Sequence, residues 1–109
     1  MKILFMLIAA HALCDFSLQS DLMANAKNRF KEHLIHAHVP WFYWLGSHAL
    51  IHGGAVAFIV GSPLLGLGEA LIHFKTDDDK CAGRIGIHED QAIHIACKLV
   101  WWALWGVFL

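Results

Sequence analysis

Apolar positions fall into blocks separated by polar connectors. Ile3 to Leu22 is the first block, strongly apolar at its start and more polar towards its end. Residues 24–38 form a polar, basic connector with Lys27, Arg29 and Lys31. Pro40 suits the first turn of a new helix. Trp41 to Val60 is the clearest apolar block and opens with four aromatic residues, which favour the headgroup level of a bilayer. Gly61-Ser62-Pro63 is a turn signal. Leu64 to Phe74 is apolar but short, and its helix can run on through Lys75 to Asp79. Residues 75–86 are polar, and Gln91 to Leu109 closes the chain with Trp101, Trp102 and Trp105. Crossing the hydrocarbon core takes about 20 apolar residues. The pattern predicts a single all-α domain over 1–109, an integral membrane bundle of four helices. The first and third are weak spans, so three spans plus a short or re-entrant helix also fit.

Composition sharpens this picture. The chain has 109 residues, 58% of them hydrophobic and only 16% charged. A soluble domain so short buries a small share of its surface and could not hide this much apolar area. Net charge is −1, with no basic stripe interleaved with aromatics, so nucleic acid is not an expected partner. Membrane lipids are, and a chain this small can complete its packing as a homo-oligomer; no protein partner is named by the sequence. Three cysteines, Cys14, Cys81 and Cys97, form no CxxC pair and read as free thiols. The opening residues imitate a signal peptide with Ala10-His11-Ala12 as its cleavage site. A single charge, a short apolar stretch and the loss that cleavage would impose on His11 and Asp15 argue against that reading.

The basic residues orient the bundle. With four crossings, connectors 24–40 and 75–88 share one side and hold Lys27, Arg29, Lys31, Lys75, Lys80 and Arg84. The positive-inside rule places both connectors in the cytoplasm and both termini outside.

Nine histidines are the compositional anomaly. His11, Asp15 and Gln19 stand four apart, as do His48 and His52, then Glu69, His73 and Asp77, then Asp90 and His94 with Gln91 beside them. Residues at i and i+4 share a helix face. At about 1.5 Å per residue, His48 and His52 lie roughly 10–17 Å from the start of their helix, and all four rows fall in the cytoplasmic half. Polar groups at that depth need partners, and His and carboxylate pairs on facing helices are how bundles build metal sites. The ligand candidates are His11, Asp15, His48, His52, His73, Asp77 and His94. Gln19, Gln91 and Lys80 support them; Lys80 either holds an anionic group or marks the membrane boundary. Neutral imidazole and carboxylate suit zinc first, then iron or manganese.

The donors exceed what one tetrahedral ion needs. A single metal with outer carboxylates orienting the histidines fits, and so does a dinuclear centre. A metal with an open position can acidify water for attack on an ester, amide or phosphate, with Glu69, Asp90 or Asp15 as general base. The alternative is a non-enzymatic membrane factor, either an ion or proton pathway or a protein that alters the envelope through a partner. His33, His36 and His38 in the connector read as solvated or at the lipid surface, and His88 as a borderline position. The tryptophans read as anchors or packing. Gly53-Gly54 reads as a site of close helix packing.

His11-Ala-Leu-Cys-Asp15-Phe-Ser-Leu-Gln19, then Met23-Ala24 and Lys27, resembles the opening of the membrane family called domain of unknown function 3307. The resemblance continues through His48 and His52, through His73, Phe74, Asp77 and Lys80, and through Asp90, Gln91 and His94. It covers nearly the whole chain. It implies a cytoplasmic-membrane protein, often phage-encoded, without settled activity. The chain departs from the family pattern in running from His73 into Lys75 and a triple Asp, and in placing Gly83 and Gly86 before Asp90. In its His and Asp pairs on membrane helices it is loosely similar to membrane-bound metal-dependent hydrolases.

Overall fold

The computed structural model describes residues 1–32 and 34–109, all in helices and the turns between them. The first block is not one continuous helix. Helix α1 (Lys2–Ala12) passes into a π-helical turn at Leu13–Ser17, where the Leu18 amide reaches back five residues to the Leu13 carbonyl at 2.8 Å. A short helix α2 (Asp21–Ala26) follows, capped by Ser20 Oγ accepting from the Met23 amide. It begins at the end of the first block and runs into the stretch read from sequence as a connector. A 3-10 turn at Leu34–Ala37 leads to α3 (Trp41–Val60), α4 (Pro63–Cys81) and α5 (Ile87–Phe108). The four expected segments are present, with α2 as a fifth helix. α5 starts ahead of Gln91 because Glu89 folds back to accept the Gly86 amide at 3.3 Å.

The α3–α4 hairpin is the main packing unit. Gly61 ends α3 with φ of 72°, a left-handed conformation open to glycine, and Ser62 Oγ caps α4 ahead of Pro63. The two helices cross at Gly53 and Gly66. A Cβ on Gly66 would lie 2.5 Å from the Gly53 carbonyl oxygen, so only glycine permits this approach. At the end of the bundle away from the polar connectors, Leu7, Val56, Val60 and Trp101 form a small apolar cluster.

Beyond this cluster the interior mixes buried Cys14, Ala26, Leu45, Ala49 and Ala70 with many ionisable groups. Among the described residues His11, Asp15, Lys27, His48, His52, Glu69, His73, Asp77, Asp90, His94 and Lys98 are all buried, while Phe5, Leu50, Phe58, Leu64, Leu71, Val107 and Phe108 are exposed. Buried charge on this scale, beside exposed large apolar side chains, is unusual for a soluble bundle. Two described helices, α3 and α5, are long and apolar enough to cross a membrane. α1 has only 11 residues, and the last third of α4 is charged. At the α4 end, Lys75 and Arg84 donate to Asp79 and hold its carboxyl below the usual carboxylate range.

Candidate metal centre

Asp15 sits inside the π-helical turn, and the extra residue in that turn sets the direction of its carboxylate. Three imidazoles converge on one of its oxygens. Nε2 of His48 lies 3.2 Å from Oδ1, that of His52 3.4 Å and that of His73 3.7 Å. Only the first is within ordinary hydrogen-bond range. Ligands held about 2.0–2.1 Å from a tetrahedral zinc stand about 3.3–3.4 Å from one another. The distances from Asp15 bracket that figure, and one ligand atom from each of Asp15, His48, His52 and His73 lies within 4.8 Å of the others. All four residues are buried, and Nε2 of both His52 and His73 has no hydrogen-bond partner. The His52 and His73 rings stack at 3.7 Å, and His73 stacks on His94 at 4.2 Å.

Glutamine orders the other side of Asp15. Gln91 Nε2 donates to Asp15 Oδ2 at 2.7 Å and to Asp90 Oδ2 at 3.1 Å, while its Oε1 accepts from His11 Nε2 at 2.9 Å. His11 Nε2 is hydrogen-bonded to Gln91 and also lies 3.7 Å from Asp15 Oδ2, the oxygen facing away from His48, His52 and His73. Gln19 donates to the Asp15 carbonyl at 3.1 Å and accepts from Lys27. His94 Nε2 lies 3.1 Å from Asp90 Oδ1, and Asp15, Asp90 and His94 form another group with metal-ligand spacing.

The remaining buried acids are paired with fixed cations. Asp77 lies 3.6 Å from His48 Nε2, but Lys27 at 2.6 Å and Lys80 at 3.0 Å occupy its oxygens. Lys80 also lies 3.7 Å from Asp90. Arg29 donates to both oxygens of Asp78, at 3.1 and 3.0 Å. Glu69 accepts from Lys98 at 2.5 Å and from the Trp101 indole at 2.6 Å. Asp15 is the buried carboxylate left without a lysine or arginine among the described residues.

Two buried cations escape the sequence reading. Lys27 is assigned there to the solvated connector and is instead enclosed. Lys98 is passed over although it extends the Asp90–His94 row by four residues. A lone lysine within an apolar span was the available signal. Trp101, read as packing, also supplies a hydrogen bond to Glu69. Of the connector histidines, His36 Nε2 donates to the Ala26 carbonyl at 2.5 Å, and His38 and His88 are exposed. His33 lies outside the described residues.

No curated protein and no solved structure matches the chain. One family model does, over residues 3–107, and its span includes every residue of the Asp15 cradle, so the chain belongs to the family described as protein of unknown function, DUF3307.

Proposed function

We propose that this chain is an integral membrane protein that holds a divalent metal between Asp15, His48, His52 and His73 and uses it for hydrolysis. One observation carries the reading: a buried carboxylate without a fixed cation, with three imidazole nitrogens 3.2–3.7 Å from one of its oxygens. A buried charge needs a compensating partner, and a divalent ion in this cradle supplies it. The nitrogen and oxygen donors suit zinc, with iron or manganese as alternatives.

Buried charge beside exposed large apolar side chains supports a bilayer around the bundle. The long axis of 45 Å is close to the roughly 40–45 Å of a bilayer with its headgroups. Connectors 24–40 and 75–88 then face the cytoplasm, where their basic residues belong. In such a site the ion supplies an acidified water near neutral pH. Asp90, whose oxygens meet His94 and Gln91 at 3.1 Å and Lys80 at 3.7 Å, would be the base that takes the proton, since Glu69 is bound to an ammonium at 2.5 Å. Substrates reaching this depth are esters, amides or phosphates of lipids or membrane peptides.

The test is release of fatty acid, amine and phosphate from a total membrane extract by the zinc-loaded protein. Asp90→Asn should keep the metal and lose about 10²–10⁴-fold in rate, as loss of a general base does. Equal turnover in the variant would remove Asp90 from the role. A second reading rests on the run of polar groups from Lys27 and Asp77 through His73 to Glu69 and Lys98, with gaps of 3.9 Å on either side of His73. No product from any extract, with proton flux through reconstituted vesicles, would favour that pathway over hydrolysis.

A further inference from the structure

His73 belongs to two constellations. Its Nε2 faces Asp15, and its Nδ1 lies 3.9 Å from Glu69 Oε1 on the other side of the ring. Glu69, His73 and His94 bring one ligand atom each within 4.8 Å of the others. Nδ1 of His73 and Nδ1 of His94 are both buried and without a hydrogen-bond partner. A carboxylate and two imidazoles at this spacing form a second ligand set for a divalent transition metal. It shares His73 with the Asp15 cradle.

A cation already stands there. Lys98 follows His94 by one turn of α5, and its ammonium contacts Glu69 Oε1 at 2.5 Å. The lysine is 1% exposed, so its charge is committed to this carboxylate. An ammonium neutralises Glu69 much as a metal would, and it repels any divalent ion approaching the same oxygen. We propose that Lys98 is a tethered cation occupying a second metal position. The wild-type centre then takes one metal, and removing the ammonium opens a second divalent site at Glu69, His73 and His94. This rests on the Asp15 cradle binding a metal.

The experiment is zinc stoichiometry by elemental analysis on detergent-purified protein, loaded with zinc and desalted. Wild type should hold one zinc per chain and Lys98→Met two. Lys98→Gln keeps a donor for Glu69 without the charge; it should also hold two and guards against a Met variant that fails to fold. Adding Glu69→Gln to either variant should return the count to one. One zinc in wild type and in both lysine variants would overturn the inference and leave the Asp15 site standing. Two in wild type would overturn it as well, since Lys98 would not be excluding metal. None in wild type would remove the metal reading itself.

Discussion

Replacing Gly66 with alanine adds a methyl group at the tightest point of the α3–α4 crossing. The new carbon would stand 2.5 Å from the Gly53 carbonyl oxygen and 2.6 Å from Ala57 Cβ. Carbon atoms settle at about 3.5–4.0 Å, so the helices must part by about 1 Å. Overpacking of this kind costs about 1–3 kcal/mol. Alanine also gains about 1 kcal/mol of helix propensity over glycine, which hides part of that cost. Gly54→Ala is the control, because a Cβ there meets nothing within 4 Å and receives the same propensity gain. The difference between the two variants isolates the overpacking, about 1–3 kcal/mol in favour of Gly54→Ala. The assay is unfolding in mixed micelles with increasing denaturing detergent, followed by circular dichroism. The crossing also fixes the site, since Gly53 follows His52 and packs on Ala70, one turn before His73. Parting the helices widens the 3.7 Å stack of those two rings, and zinc affinity measured by chelator competition should fall about 10-fold or more in Gly66→Ala alone. Equal stability and equal affinity in the two variants would refute this account of the packing.

Trp101→Phe keeps an aromatic ring on the apolar cluster but removes the donor to Glu69 Oε2; a lost hydrogen bond to a buried charge costs about 1.5–3 kcal/mol, read in the same unfolding assay. With Cys14, Cys81 and Cys97 replaced, His88→Cys at the start of α5 should react with a membrane-impermeant thiol reagent in inverted vesicles and not in intact cells; the reverse pattern would invert the orientation.

Much of the site was legible because helical spacing is a strong constraint. His48 with His52, Glu69 with His73 and Asp77, and Asp90 with His94 each share a face at i and i+4. Rows on several helices predict faces that turn inward together, and the side chains of Asp15, His48, His52 and His73 do come together. Other features depend on information outside the local pattern. His11 and Asp15 have ordinary helical spacing, so nothing marks the extra residue of the π turn between Leu13 and Leu18. Lys27 lies in a basic stretch that reads as solvated, and only the return of α4 places Asp77 against it. Glu69 looks like a free base in sequence, because Lys98 and Trp101 reach it from a helix about thirty residues away in the chain. The partner of a buried charge is a tertiary fact, whereas the charge itself is visible in the sequence.

The decisive experiment is elemental analysis of the detergent-purified wild-type protein beside Asp15→Asn. Asparagine keeps the shape and most hydrogen bonds of Asp15 while removing the charge that lacks a fixed counterion. Wild type should hold one equivalent of zinc, iron or manganese and the variant none at the Asp15 cradle, with both proteins folded by circular dichroism. A folded wild type that retains no metal after loading, or an Asp15→Asn variant that binds it equally well, would contradict the account.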